Sequence, residues 1–157
     1  MKIRLLQIGK TQESYLQEAI DTFWQRINKF IPFEMQSLQG IKNAAKLSEE
    51  QLKEKEADLL LQQLKAGDYV VLLDERGKEL GSQAFSIFLQ QQMNSGVKNV
   101  VFIVGGAYGV SDKIKNIANY QLSLSKMTFT HQMIRLIFVE QLYRAYSIIH
   151  NQPYHHD

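Results

Sequence analysis

Apolar residues along this chain gather in short runs that alternate with stretches of helical spacing. Residues 2–9, 69–73 and 99–104 are rich in apolar side chains, which is typical of strands covered on both faces of a sheet. Residues 33–38 and 120–125 alternate between apolar and polar positions, which predicts two further strands. The pattern therefore predicts five strands distributed along the whole chain.

The stretches between these strands place apolar residues three or four positions apart, as amphipathic helices do. We expect helices over residues 13–30, from Ser48 to about Lys65, and over residues 82–95, 111–119 and 131–149. Ser48 followed by Gln51 matches a capping box at the start of the second helix. A turn is expected at Glu75-Arg76-Gly77. Strands separated by helices predict a single α/β domain over residues 1–157, with a parallel sheet in an α/β/α sandwich.

The last predicted helix is apolar around nearly its whole circumference. Its apolar residues are Met133, Ile134, Leu136, Ile137, Phe138, Val139, Leu142, Ala145, Ile148 and Ile149. A helix of this kind needs cover on more than one side. A domain of this size does not easily supply that cover alone, so we expect a second copy of the chain to supply it in a homodimer.

Composition limits the class of protein but does not identify the reaction that it catalyses. The 157 residues are 45% hydrophobic and 22% charged, as in an ordinary globular domain. No Cys is present to form a disulfide or a thiolate metal site. The opening residues MKIRLLQIGK are too short and too soon polar for the apolar region of a secretory leader, and no apolar run approaches the ~18 residues that span a bilayer. We therefore expect a cytoplasmic protein without a membrane partner. A net charge of +2 permits contact with nucleic acid, and favours a compact RNA site or a small-molecule enzyme over a general RNA coat.

A glycine-rich segment, IVGGAYG at residues 103–109, directly follows the strand at 99–104. Its spacing is that of neither a dinucleotide-binding fingerprint nor a phosphate loop. It is equally well interpreted as a tight turn that needs positive φ or as a ligand site. Ligands of open parallel sheets bind beyond the carboxyl ends of the strands, which is where this segment is expected.

Two other segments should end at the same edge of the sheet. Asp74 and Glu75 follow the strand at 69–73 and form either a functional acidic pair or, more commonly, a solvated strand end. Residues 124–131 (LSKMTFTH) combine small hydroxyl side chains, a Lys and apolar residues, which could form one wall of an adenine site. The alternative is an ordinary loop in which Thr130 caps the last helix, and both interpretations can hold together.

Histidine, arginine and tyrosine are concentrated in the last part of the chain. The four histidines are His131, His150, His155 and His156. Arg and Tyr on a helix near a ligand-binding edge suit recognition of RNA. No His pair has the spacing of a helical metal site, so we expect no metal, and no Gly-x-Ser-x-Gly segment supports a Ser-His-Asp hydrolase.

The chain resembles, from end to end, the small bacterial SPOUT-class methyltransferases of large-subunit (23S) ribosomal RNA. The matching segments are IRLLQIGK (3–10), VVLLDERGK (70–78), FIVGGAYGV (102–110) and LSLSKMTFTHQMIRLIFVEQLYRAYSIIHNQPYH (122–155). The resemblance implies S-adenosyl-L-methionine as cofactor, methylation of N3 of a pseudouridine, and a homodimer. It also implies a C-terminal deep trefoil knot, with the knot and the cofactor site in about residues 70–157.

The family's cofactor site carries over to three segments of this chain. It implies contacts from Leu73, from Gly105, and from the run Leu124, Ser125, Lys126, Met127, Thr128 and Phe129. Gly106 and Gly109 are expected to shape the same loop. This chain departs from the family pattern at Thr130, where a Pro is expected, so the loop lacks that rigid residue.

Polar groups near the presumed edge are candidates for catalysis and for RNA binding. The catalytic candidates are His131, Arg135, Tyr154 and His155, and the RNA-binding candidates are Arg135, Arg144 and Tyr154. Histidine can accept a proton near neutral pH, whereas arginine stays charged and suits phosphate or carbonyl groups. A water molecule could serve as the base instead. The alternatives to an enzyme acting on ribosomal RNA are a knotted methyltransferase of another RNA such as tRNA, and a non-catalytic nucleotide-binding module on a ribosome-associated protein.

Overall fold

Five strands, each parallel to its neighbours, form one sheet in the computed structural model, which describes residues 1–154. They are β1 (Lys2–Ile8), β2 (Phe33–Leu38), β3 (Tyr69–Glu79), β4 (Asn99–Val104) and β5 (Tyr120–Ser123). Their order across the sheet is β2-β1-β4-β3-β5. All five predicted strands are confirmed, and the carboxyl ends of β3, β4 and β5 lie side by side.

All five predicted helices are present, with shorter ends than the pattern suggested. They are α1 (Ser14–Ile27), α2 (Glu49–Leu61), α3 (Ser82–Asn94), α4 (Asp112–Ile117) and α5 (Met133–Ile149), and a short 3-10 helix at Ala44–Lys46 was not predicted. The capping box of α2 is confirmed, because Ser48 Oγ accepts from the Gln51 amide and the Gln51 side chain accepts from the Ser48 amide.

Helices cover both faces of the sheet, and β4 shows how the sequence dictates this. Val100, Phe102 and Val104 point into a core shared with α1, α3 and α5. The alternate residues Val101 and Ile103 point into a second core, shared with α2 and α4. Because successive side chains of a strand face opposite sides, an apolar run can fill both cores. The parallel α/β/α sandwich is therefore confirmed.

The final helix, α5, obtains much of its cover from its own chain. It packs between α1 and α3 on one face of the sheet. Phe138, Val139, Leu142 and Ala145 are fully buried there. Other apolar positions, namely Met133, Ile134, Leu136, Ile137, Ile148 and Ile149, remain only half-buried. A second copy of the chain is thus not needed to bury the main apolar stripe of α5. The homodimer stays a prediction, and its contact surface would include the half-buried positions.

The prediction that the strand ends at a turn over residues 75–77 is wrong, because β3 continues to Glu79. Leu73 and Lys78 both pair with Leu122 of β5, so the residues between them bulge out of the ladder. Gly77 permits this close pairing. A Cβ there would lie 2.7 Å from the carbonyl carbon and oxygen of Gln121 and 2.8 Å from the carbonyl carbon of Leu122.

We expect Gly77→Ala to lower the free energy of unfolding by roughly 1–3 kcal/mol, because the added methyl group meets backbone atoms that cannot rotate away. Gly40→Ala is the matched control, since a Cβ at Gly40 meets nothing within 4 Å. Urea unfolding of both variants measures the difference. Equal stability of the two variants would show that β3 and β5 do not pair closely at this point.

Candidate functional site

A cleft of about 740 Å³ lies beside the bulge of β3 and beyond the carboxyl ends of β4 and β5. Its walls come from residues 73–76, residues 104–110 and the segment from 122 to the first turn of α5. A cleft of this volume is in the range of small-molecule and cofactor sites. The three segments that the sequence placed at one edge therefore meet around one cavity.

The glycine segment forms a tight turn at the mouth of β4. The Gly109 amide donates to the Gly106 carbonyl oxygen over 3.1 Å, and Gly109 has a φ of +84°, which disfavours any side chain. A Cβ on Gly105 would lie 2.8 Å from the Gly109 carbonyl. The turn interpretation is confirmed, and because the same residues line the cleft, the ligand-site interpretation of this segment stays a prediction.

Glu56 of α2 lies directly behind the glycine turn. A Cβ on Gly106 would collide with its carboxylate. The side chain is only 8% exposed, and this burial raises the pKa of the Glu56 carboxyl above its usual value. The sequence did not indicate this residue, because α2 has the composition of an acidic surface helix.

The segment after β5 is held in shape by its own hydroxyl groups. Ser123 Oγ donates to the Ser125 carbonyl oxygen, and Ser125 Oγ accepts from the Met127 amide, both over 2.9 Å. Thr130 Oγ1 accepts from the Met133 amide over 3.1 Å, which confirms the predicted cap of α5. Hydrogen bonds of its own hydroxyl groups thus fix the shape of this loop.

The acidic pair is engaged with the cleft walls. Thr128 Oγ1 donates to Glu75 Oε2 over 2.9 Å, which ties the bulge of β3 to the segment after β5. Asp74 Oδ1 accepts from the Arg76 amide over 2.8 Å and so shapes the bulge itself. Both carboxylates therefore hold the walls of the cleft in shape. This structural role differs from that of a solvated strand end, and a direct functional role for the pair stays a prediction.

Nearly all residues expected around a cofactor line the cleft. They are Leu73, Gly105, Gly106, Gly109, Leu124, Ser125, Met127, Thr128 and Phe129. Lys126 does not line it: its side chain is 84% exposed and its Nζ lies 3.6 Å from Glu79. Of the side chains in this run, that of Lys126 is thus turned towards solvent.

His131 lines the cleft, and Arg135 does not. Burial, followed by the charge of Arg135, lowers the pKa of the His131 imidazole. Arg135 is fully buried. Its guanidinium donates to the carbonyl oxygen of Ile8 over 2.6 Å and to Thr11 Oγ1 over 3.2 Å. The expectation that Arg135 binds RNA is therefore corrected, because no part of this side chain reaches the surface.

Arg144 and Tyr154 lie together, away from the cleft of their own chain. The Arg144 guanidinium carbon stands 4.9 Å from the centre of the Tyr154 ring, and both side chains donate to Glu140. The Tyr154 ring also contacts Tyr143, with 4.6 Å between centroids. Neither residue lines the cavity. His155, the remaining catalytic candidate, lies outside the described residues.

Several residues that line the cleft were not chosen from the sequence. They include Lys53, Arg76, Tyr108, Lys115 and Ile134. Arg76 and Tyr108 lie inside the motifs already noted, and Tyr108 is exposed at the tip of the glycine turn. Lys53 and Lys115 belong to helices without any distinguishing motif, and only the fold brings them here. Each is paired with a carboxylate of its own helix, Lys53 with Glu50 over 3.0 Å and Lys115 with Asp112 over 3.1 Å.

Across residues 1–154, no three His, Asp or Glu side chains gather in a way that could hold a metal ion. No helix in the same part of the chain is long and apolar enough to cross a membrane.

Comparison with known sequences gives matches over the whole chain. The family model described as "Predicted SPOUT methyltransferase" matches residues 1–155. A protein of Parabacteroides distasonis named "Ribosomal RNA large subunit methyltransferase H" is 54% identical over 157 residues, covering 100% of both chains. Proteins of the same name from Flavobacterium johnsoniae and Bacteroides thetaiotaomicron are 51% and 49% identical, covering 99% and 100% of both chains.

Two solved structures share the fold at low sequence identity. A probable methyltransferase from Bordetella pertussis aligns with a TM-score of 0.55 at 10% identity, over 92% of this chain and 95% of that one. A probable methylase family protein from Haemophilus influenzae aligns with a TM-score of 0.51 at 12% identity, over 99% of this chain and 70% of that one. At these identities the likeness concerns the arrangement of the elements alone.

Proposed function

The chain belongs to the SPOUT methyltransferase family, and we propose that it uses S-adenosyl-L-methionine to methylate N3 of a pseudouridine in large-subunit ribosomal RNA. The observation that carries this proposal is an identity of about half, over full length, to proteins named as methyltransferases of that RNA. Membership of the family also implies the C-terminal trefoil knot. A ribosomal substrate would place the protein in the cytoplasm.

The residues around the cleft fit the proposed cofactor. Leu73, Leu122 and Leu124 supply apolar surface for an adenine ring, and the turn at residues 105–109 brings backbone amides and carbonyls close to it. A side chain at Gly105 would fill or displace this turn. S-adenosyl-L-methionine supplies a methyl group on a positively charged sulfur, and an RNA base can attack that group directly. The protein's task is then to hold the two reactants in line.

His131 is our candidate for the base that takes the proton from N3. It lies on the wall of the cleft, and its pKa is lowered, first by burial and then by Arg135. A histidine with a lowered pKa is neutral at physiological pH and can accept a proton. Activity limited by this group should be complete at neutral pH and fall only as His131 becomes protonated in acid.

We further propose that the working unit is a homodimer in which the tail of one chain completes the RNA site of the other. Arg144 and Tyr154 are suited to phosphate binding and base stacking, yet they lie away from the cleft of their own chain. The half-buried apolar positions of α5 are candidates for the dimer contact. Light scattering at micromolar concentration should therefore give twice the mass of one chain.

Transfer of a labelled methyl group distinguishes this function from its alternatives. Purified protein and labelled cofactor are incubated in three separate reactions. The substrates are ribosomes lacking the modification, free large-subunit RNA, and tRNA. Label should enter the ribosomal RNA of at least one of the first two substrates and be absent from tRNA. Label in tRNA instead would indicate a knotted methyltransferase of another RNA. Cofactor binding without transfer to any of these substrates would favour the non-catalytic module.

A further inference from the structure

Arg135 is a buried cation for which the fold provides no counter-ion. It is among the largest fully buried side chains. Its hydrogen bonds go to neutral oxygens, those of Ile8 and Thr11, and its Nε is buried without any partner. No carboxylate of residues 1–154 lies within ion-pair distance of it. An unpaired buried charge opposes folding, so its presence calls for a reason other than stability.

The position of Arg135 points to His131. The two residues are four apart in the chain. The Ile134 amide donates to the Thr130 carbonyl oxygen over 3.0 Å, so one helical turn leads from Thr130 into α5, which begins at Met133. Residues four apart on a helix are neighbours on one side. His131 faces the cleft while Arg135 lies in the core. The buried cation therefore follows the candidate base by about one helical turn, on the core side and away from screening by salt.

Other charged groups surround His131 on several elements. Around the cleft these are Lys53 of α2, Asp74, Glu75 and Arg76 of β3, and Lys115 of α4. Lys10 and Glu13 belong to the loop after β1, which is tied to α5 because the Gln12 amide donates to Gln132 Oε1 over 2.7 Å. Among all of them, only the charge of Arg135 contributes to the lowered pKa of His131, after burial itself.

We propose that Arg135 is a positioning residue for methyl transfer, whose buried charge keeps His131 neutral so that it can take the proton from the target base. This inference rests on the proposed function, in which the N3–H bond breaks and the proton passes to an imidazole nitrogen of His131. A bond forms between N3 and the methyl carbon, and the carbon–sulfur bond breaks with its electron pair left on sulfur. Two positive charges so close in a poorly solvated region repel each other, which disfavours the protonated imidazole.

The direct test is an NMR titration of His131 in the full-length protein and in two variants. Arg135→Lys keeps the charge, and Arg135→Met removes it at similar volume. The spectrum of His131→Asn assigns the His131 signal among those of the four histidines. In the wild type, His131 should titrate below the ordinary value of ~6.5. Arg135→Lys should stay low, and Arg135→Met should move the pKa upward. An unchanged pKa in folded Arg135→Met would overturn the proposal.

Should Arg135→Met fail to fold, the wild-type titration and Arg135→Lys still decide. A wild-type His131 that titrates at or above its ordinary value would overturn the proposal without any variant. A rise of the His131 pKa to its ordinary value in Arg135→Lys would also overturn the proposal, because this variant keeps the positive charge.

The pH dependence of kcat separates positioning from a purely structural role. In Arg135→Met the loss of activity in acid should begin at higher pH than in the wild type, because His131 becomes protonated earlier. If Arg135→Met is less stable but loses its kcat at the same acidic pH as the wild type, the proposal is contradicted. If the wild type does not methylate ribosomal RNA, the proposed function fails, while the NMR titration still reports whether Arg135 acts on His131.

Discussion

Replacing Gly105 by Ala is expected to weaken cofactor binding by about ten- to a hundredfold. The added Cβ would lie 2.8 Å from the backbone carbonyl of Gly109 and from Cγ1 of Val110, so the turn must move to accept it. Displacements of this kind cost about 1–3 kcal/mol, and each 1.4 kcal/mol changes an affinity by about tenfold. Since the turn is one wall of the cleft, its displacement removes backbone groups from the ligand.

Calorimetric titration with S-adenosyl-L-methionine measures this effect. Gly40→Ala is again the matched control, because its Cβ meets nothing within 4 Å and Gly40 does not line the cleft. Thermal unfolding of both variants should show that the fold persists. If Gly105→Ala binds the cofactor as tightly as Gly40→Ala does, the cofactor is not held at this turn.

Removing residues 153–157 is expected to abolish methyl transfer, with a loss of at least about a hundredfold, while cofactor binding survives. Misplacing one reactant by about an ångström can cost that much. In the described part of the tail, the Tyr154 hydroxyl donates to Glu140 over 3.2 Å, and the ring lies against Arg144. Tyr154→Phe keeps the ring and removes only this hydrogen bond, so it should retain more activity than Tyr154→Ala.

Mixing two inactive chains tests whether the tail acts across the dimer. A chain without residues 153–157 is combined with a full-length chain carrying Gly105→Ala, at a cofactor concentration too low to fill the weakened cleft, so that neither chain alone is active. In a heterodimer, one intact cofactor cleft then meets the partner's intact tail, so activity should reappear. Verified heterodimers that stay as inactive as their components would show that the tail serves its own subunit.

The strands and helices were predictable because their apolar residues follow the period of each element. The extension of β3 was not, because residues 74–79 are mostly polar and their pairing with β5 depends on a bulge that Gly77 allows. Such pairing depends on the neighbouring strand, so the local pattern of apolar and polar residues does not predict it.

The candidate site was predictable only where residues follow strand ends in the chain. Lys53 reaches the cleft from α2, and Glu56 of the same helix lies behind the glycine turn, although no motif on α2 indicates a site. Residue type makes Arg135 a candidate for RNA binding, because arginine stays charged and suits phosphate groups. Its position three, four and seven residues before Phe138, Val139 and Leu142 nevertheless places it on the buried stripe of α5. Helical spacing would have located this side chain correctly, and residue type alone did not.

We propose above that this chain methylates N3 of a pseudouridine in large-subunit ribosomal RNA. The most direct measurement is to treat ribosomes lacking the modification with labelled cofactor, digest the RNA and identify the labelled nucleoside by mass spectrometry. We expect a single labelled site, an N3-methylated pseudouridine of the large subunit, and much less label with Gly105→Ala. Label on another nucleoside or another RNA, or no label from a protein that binds the cofactor, would contradict it.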